Sequence, residues 1–241
     1  MRAHVKRFVS DTSLLLRSIP SPVITFFVLS VVLMNLLANK TIYQKGFVAV
    51  DGGIVVSWVC FLCMDIITKH FGARAATRVS VFALLVNLFA VAVFGIVSVI
   101  PTETDYSAFN GIFGGSWFIV LSSSLAFLAS AVANNTLNAA VGRFFSANPD
   151  GRAAYYTRSY VSTFIGQFID NMVFASLVFM LFAPIYWDGF CWTLPQCVTC
   201  SLIGACLELF MEVIFSPIGY SVTRRWQQLD IGSAYLEAHA A

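Results

Sequence analysis

Charged side chains are scarce in this 241-residue chain: Asp, Glu, Lys and Arg make up 11% of it, against about 25% in an ordinary soluble domain. So few charges cannot clothe a water-facing surface, which excludes a soluble, secreted or disordered protein. The formal net charge is only +2, so no basic field marks a nucleic-acid binder, and no nucleic-acid partner is expected. Histidine is also sparse, with His4, His70 and His239 at the ends or in a loop. No GxxxxGK[ST] loop is present, so the chain does not itself hydrolyse ATP, and no HExxH motif or Ser/His/Asp set suggests an enzyme. Of the six cysteines only Cys191 falls in an obvious loop, which argues against a disulfide framework.

Apolar side chains are abundant: 59% of the residues are hydrophobic, with mean hydropathy +0.81. They fall into six runs, at 22–38, 53–68, 75–100, 117–140, 160–186 and 194–218, each to be compared with the ~20 residues a helix needs to cross a bilayer. The runs are continuous, without the alternation of a barrel strand, and backbone in hydrocarbon must bond to itself. The expected fold is therefore all-α, a polytopic six-transmembrane-helix bundle forming a single integral membrane domain over 1–241. The basic segment ahead of the first run lacks a small-x-small cleavage site, so an uncleaved signal-anchor is expected. With the N-terminus inside, all but Lys40 and Lys45 of the 14 Lys and Arg lie on the inner side. That asymmetry supports six spans, with both termini cytoplasmic in a cell (inner) membrane. Trp187 and Trp192, in the loop before the last span, are expected at the membrane–water interface.

Four acids remain inside the runs: Asp65, Asp170, Glu208 and Glu212. Each costs ~2.5–3.5 kcal/mol at a helix centre on insertion scales, so each needs a partner, a wet cavity or a proton. Amides join them at Asn35, Asn87, Asn134, Asn135, Asn138, Gln167 and Asn171, with no basic residue mid-span to neutralise the acids. Helical spacing groups Gln167 with Asp170 between Phe164 and Phe174, and Trp58 and Phe61 with Asp65. A carboxylate beside an amide, backed by aromatic rings, suits the donor edge of a planar heterocycle. Other readings stay open. Asp65, four residues before Lys69, also suits an interfacial ion pair, Gln167 and Asp170 and the asparagines of the fourth run also suit interhelical bonding, and Glu208 and Glu212 also suit a structural or simply protonated state. The pairs Cys60/Cys63 and Cys197/Cys200 have zinc-like CxxC spacing but lie in apolar runs without a nearby histidine, so they read as packing residues. No metal and no cofactor is expected.

Three stretches carry a family resemblance. Ala38-Asn39-Lys40, with Asp65-Ile66-Ile67-Thr68-Lys69-His70-Phe71-Gly72 and the small/basic run 73–78, is the first. The second is Ser162-Thr163-Phe164-Ile165-Gly166-Gln167-Phe168-Ile169-Asp170-Asn171-Met172-Val173-Phe174, and the third is Ser216-Pro217-Ile218-Gly219-Tyr220. Together they resemble the queuosine precursor transporters, also called the vitamin-uptake-transporter (VUT) family, which are related to the S components of energy-coupling-factor transporters. The resemblance implies import of a 7-deazaguanine base such as 7-cyano- or 7-aminomethyl-7-deazaguanine, or of queuine. It places Asp65, Gln167 and Asp170 at the binding site, with Asn134, Trp58 and Phe174 shaping the cavity. Departures include Ala131, Asn134 and Asn135 where relatives commonly show a Gln and an Asp, Asn171 for the usual Thr, and Glu208 and Glu212 where many carry a Lys.

The expected partners are thus a nucleobase-like small molecule and the lipid bilayer. If the chain acts alone, Asp170, Glu208 or Glu212 would carry a coupling proton. If it is an S component, an energy-coupling ATPase module supplies the energy; the first run has no clear small-xxx-small docking face, which tilts the reading to a stand-alone permease. Import of another vitamin or nucleobase, and an intramembrane enzyme or metal-binding membrane protein, are the alternatives.

Overall fold

A proline ends the first helix. Helix α1 (Arg2–Ser18) stops ahead of Pro20, which disfavours helical geometry at Ile19 and supplies no N–H of its own. Helix α2 (Ser21–Leu37) then leaves at 112° to the end of α1. The structure is a computed structural model that describes the backbone of residues 2–115, 117–144 and 152–239. It describes their side chains except those of residues 2–8, 65, 131–132, 134–144, 152–159, 162, 212 and 216.

After α2 the chain makes an antiparallel hairpin, β1 (Thr41–Lys45) and β2 (Val48–Asp51), turning at Gly46. The helices α3 (Ile54–Phe71), α4 (Ala73–Ser98), α5 (Ser107–Phe113) and α6 (Trp117–Phe144) follow. Helix α7 (Arg152–Ala175) runs into a π-helical segment, Ser176–Phe182, and a short α8 (Ala183–Tyr186). Helices α9 (Leu194–Gln228) and α10 (Ser233–Ala238) complete the chain. The hairpin and the amphipathic α1 were not expected from hydropathy.

Among the described residues, five helical stretches are long and apolar enough to cross a membrane: Ile54–Phe71, Ala73–Ser98, Ser107–Ser130, Thr163–Tyr186 and Leu194–Phe215. The bent pair Val9–Ser18 and Ser21–Leu37 makes a sixth if taken as one span. This is a polytopic all-α membrane protein. Its outer face carries exposed Leu85, Phe89, Leu128 and Phe210, as lipid-facing helices do.

The bundle packs α7 between α6 and α9, and α3 between α2 and α9. Two apolar clusters hold its two ends. At the end bearing α1 and α10, Phe27, Ile67, Phe71, Val79, Trp226 and Tyr235 pack together. At the hairpin end, Ala38, Ala49, Phe118, Phe179, Trp192 and Cys197 do so. Trp192 departs from expectation: it is buried and stacks on Phe179 with ring centroids 3.9 Å apart, so it is a core residue rather than an interfacial anchor. Its backbone N–H bonds the Phe179 carbonyl at 3.1 Å, inside the π-helical segment. Pro184, which cannot donate to the ladder, lies just beyond.

The sixth apolar run also differs from expectation at its end. Pro217 does not stop the helix, and α9 continues to Gln228, carrying Arg224 and Arg225 beyond the apolar run. At this end Arg78 bonds Asp11 at 3.4 Å and the Tyr235 hydroxyl at 3.3 Å, while His70 bonds the Ile231 carbonyl at 2.9 Å. Gly232 makes the closure: its φ is +75°, and an added Cβ would collide with the Phe71 ring. Gly232→Ala is expected to loosen α10 from α1, costing about 1–3 kcal/mol through backbone strain alone. A fall of several degrees in the thermal midpoint of the detergent-solubilised protein would register it.

Candidate functional site

Sequence position puts one polar side chain on each of several elements at nearly the same level. On α2, Asn35 lies between Phe27 of one apolar cluster and Ala38 of the other. On α3, Ser57 precedes Cys60; on α7, Asp170 and Asn171 precede Ala175; on α9, Glu208 follows Cys200. Packing these helices side by side therefore leaves a polar layer between two apolar ends. Within it lies a cavity with about 430 Å³ of empty space, part of it open to the outside.

Its described lining comes from five elements and the hairpin's end. Asp170, Asn171 and Phe174 contribute from α7, Glu208 and Cys200 from α9, and Asn35 and Met34 from α2. Ser57 and Ile54 line it from α3, Ser123 from α6 and Asp51 from the end of β2. No described lining residue is basic. Glu208 is 4% exposed and Asn35 3%. The Glu208 Oε2 and Asn35 Oδ1 atoms have no hydrogen-bond partner, although buried polar groups are nearly always paired. Such orphaned acceptors suit a ligand that brings donors.

The residues singled out in the sequence distribute as follows. Asp170, Phe174 and Glu208 line the cavity. Gln167 is buried one turn earlier on α7, with its Oε1 atom unpartnered. Trp58 is not among the described lining residues; it stacks on Phe215 of α9 with centroids 4.6 Å apart, while its neighbour Ser57 faces the cavity. Asp65 lies eight residues beyond Ser57 on α3, about 12 Å along the helix axis. The side chains of Asp65, Asn134 and Glu212 lie outside the described residues.

Asp51 was missed, because hydropathy leaves it in a loop. In the fold it is buried. Its Oδ1 accepts from the Gly53 N–H at 2.7 Å and its Oδ2 from the Cys200 thiol at 3.5 Å. The local signal is legible afterwards: Asp51-Gly52-Gly53 directly precedes an apolar helix, where a carboxylate two residues upstream bonds the turn's backbone. The hairpin is tied down by α9. The capping-box residues Thr193 and Gln196 open that helix, and Gln196 donates to the Gly46 carbonyl at 2.9 Å. Thr199 donates to the Phe47 carbonyl at 2.6 Å.

Burial pushes the Asp51 carboxyl pKa above its ordinary 3.8, against the lowering effect of the Gly53 and Cys200 hydrogen bonds. A carboxyl whose pKa is raised by folding contributes full stability only below its unfolded value, and that contribution is lost as pH rises through the folded value. Asp51→Asn, which stays neutral, is expected to flatten the pH dependence of stability above pH 4 and to raise the thermal midpoint at neutral pH. Melting the ligand-free protein in detergent between pH 4 and 8 measures both; a steeper decline in the variant would contradict the assignment.

The family described as "Putative vitamin uptake transporter" matches residues 51–222, from Asp51 through most of α9. The chain belongs to this vitamin uptake transporter family. No curated protein and no solved structure matches it. The family match covers every described element that lines the cavity of this transporter except α2. Membership sets the chain among transporters.

Proposed function

We propose that this transporter imports a queuosine precursor, a 7-deazaguanine base, through the cavity between α2, α3, α6, α7 and α9. The observation that carries the reading is the placement of Asp170 on the cavity wall beside Phe174, with Gln167 one turn away and a buried acceptor unsatisfied. A guanine-like edge offers adjacent N–H donors, which a carboxylate accepts in pairs and an amide completes. The Phe174 ring offers a face on which a planar base stacks. Asp65 and Asn134 complete the proposed binding set from α3 and α6, with Trp58 supporting the α3–α9 wall through Phe215.

Both termini are proposed to be cytoplasmic in the inner membrane. The hairpin end would then face outward. Support comes from the basic residues, nearly all on the side of α1 and α10. In a stand-alone permease the coupling proton would ride on Asp170 or Glu208, both cavity-lining, or on Glu212 one turn beyond Glu208.

The test is uptake of labelled 7-cyano- and 7-aminomethyl-7-deazaguanine by cells stripped of their own importer and of precursor synthesis. Saturable uptake that unlabelled base competes away is expected. Gln167→Ala is expected to lower it about tenfold, the loss of one or two buried hydrogen bonds. Absence of uptake with the protein present in the membrane would overturn the reading.

A further inference from the structure

The cavity holds more acceptors than a neutral base edge consumes. Three carboxyls line it, Asp51, Asp170 and Glu208, from three different elements, and no described lining side chain is basic. Only Asp170 is used by the base edge proposed above. Asp51 and Glu208 are left over, and each is more than nine-tenths buried.

Two further observations give the surplus a direction. Asn35 Nδ2 donates to the Val31 carbonyl at 3.0 Å, which fixes the amide so that its unpartnered Oδ1 is the atom left for the cavity. Glu208 likewise presents an unpartnered Oε2. The Ser57 and Asn171 side chains already approach Glu208 as hydrogen-bond partners, and Asn171 Nδ2 also lies against Gly204 on the α7–α9 wall, where an added Cβ would be 2.6 Å from it. The remainder is an acceptor-rich corner. An ammonium group, with three donors and no acceptor, is the side-group chemistry that satisfies it. A nitrile or a second carboxylate brings acceptors to acceptors.

We propose that Asp51, Glu208 and Asn35 form a subsite for a cationic group, a protonated amine carried by the transported compound. The proposal rests on reading the cavity as the substrate site. Within that reading Asp51 is a specificity residue delivered by the β1–β2 hairpin. The hairpin holds Asp51 over the cavity because α9 grips its turn through Gln196 and Thr199.

The experiment is equilibrium binding to the purified full-length protein in nanodiscs, using 7-aminomethyl- and 7-cyano-7-deazaguanine as a matched pair. The wild type is expected to favour the amine by roughly tenfold to a hundredfold, the range of one or two charge-assisted hydrogen bonds. Asp51→Asn and Glu208→Gln are each expected to shrink that ratio about tenfold. A structural role for either residue would alter both affinities together and leave the ratio unchanged. Equal binding of the pair by the wild type overturns the subsite while sparing the base-import reading, and it does so without any variant. Failure of both compounds to bind overturns the import reading and the subsite with it. Competition between sodium and the amine, with choline as the control salt, would reassign the acceptors to an inorganic cation and so overturn the amine.

Discussion

Asp170→Asn is expected to cut uptake of a 7-deazaguanine base on the order of a hundredfold while leaving the amount of protein in the membrane unchanged. The substitution keeps volume and shape but replaces one acceptor oxygen with an N–H₂ group that meets the base's own donors. A charge-assisted hydrogen bond is worth about 1.5–3 kcal/mol, and the donor–donor conflict adds to its loss. At about 1.4 kcal/mol per factor of ten, the sum reaches two decades. Asp170 lines the cavity with Phe174 one helical turn further on, so both are placed to meet one ligand held there. Initial-rate uptake at several base concentrations is the measurement. A rate within about threefold of the wild type would mean that the base edge is read elsewhere.

Gly204→Val is expected to abolish binding by a different route. Gly204 lies on α9 against α7: an added Cβ would sit 2.6 Å from Asn171 Nδ2 and 3.6 Å from the Ile54 side chain. The neighbours on both sides line the cavity. Adding a branched side chain at a packed contact costs about 1–3 kcal/mol, and Asn171, which lines the cavity, is expected to be pushed into it. The thermal midpoint should fall by several degrees, and the ligand-induced rise in that midpoint should vanish. Gly204→Ala should lie between the two, because it adds the colliding Cβ without the branches. Full ligand stabilisation in the valine variant would show that Asn171 can retreat without closing the cavity.

The amine subsite and the stability of Asp51 variants meet in one consequence. Folding buries the Asp51 carboxyl at a cost, with the Cys200 thiol and the Gly53 N–H among its partners. A variant that is more stable when empty yet less selective when loaded is the signature of a charge retained for its ligand. Gly232→Ala, at the opposite end of the bundle, should lower stability without touching selectivity, which separates the two kinds of effect.

Much of the architecture follows from composition and pattern alone. Apolar runs of spanning length with almost no charge leave a backbone in hydrocarbon one arrangement, and the helices α3, α4, α6, α7 and α9 fall on those runs. The acids and amides of α7 and α9 were legible for the same reason: an ionisable group in such a run is costly enough that its presence signals a use. Other features were not legible in this way. Asp51 sits outside the apolar runs, so hydropathy treats it as loop, and only the hairpin's docking onto Gln196 and Thr199 carries it into the bundle. Trp192 reads as an interfacial ring, yet the chain's return past the π-helical turn buries it on Phe179. Trp58 and Ser57 are adjacent in sequence, and the rotation of α3 against α9 decides which of them meets the cavity. Amino-acid pattern alone establishes a membrane-embedded helical bundle with polar groups inside, because burial costs act on each segment separately. Which of those groups share one cavity emerges from the packed fold, because it depends on how helices rotate and align, a property of pairs of segments that no single segment encodes.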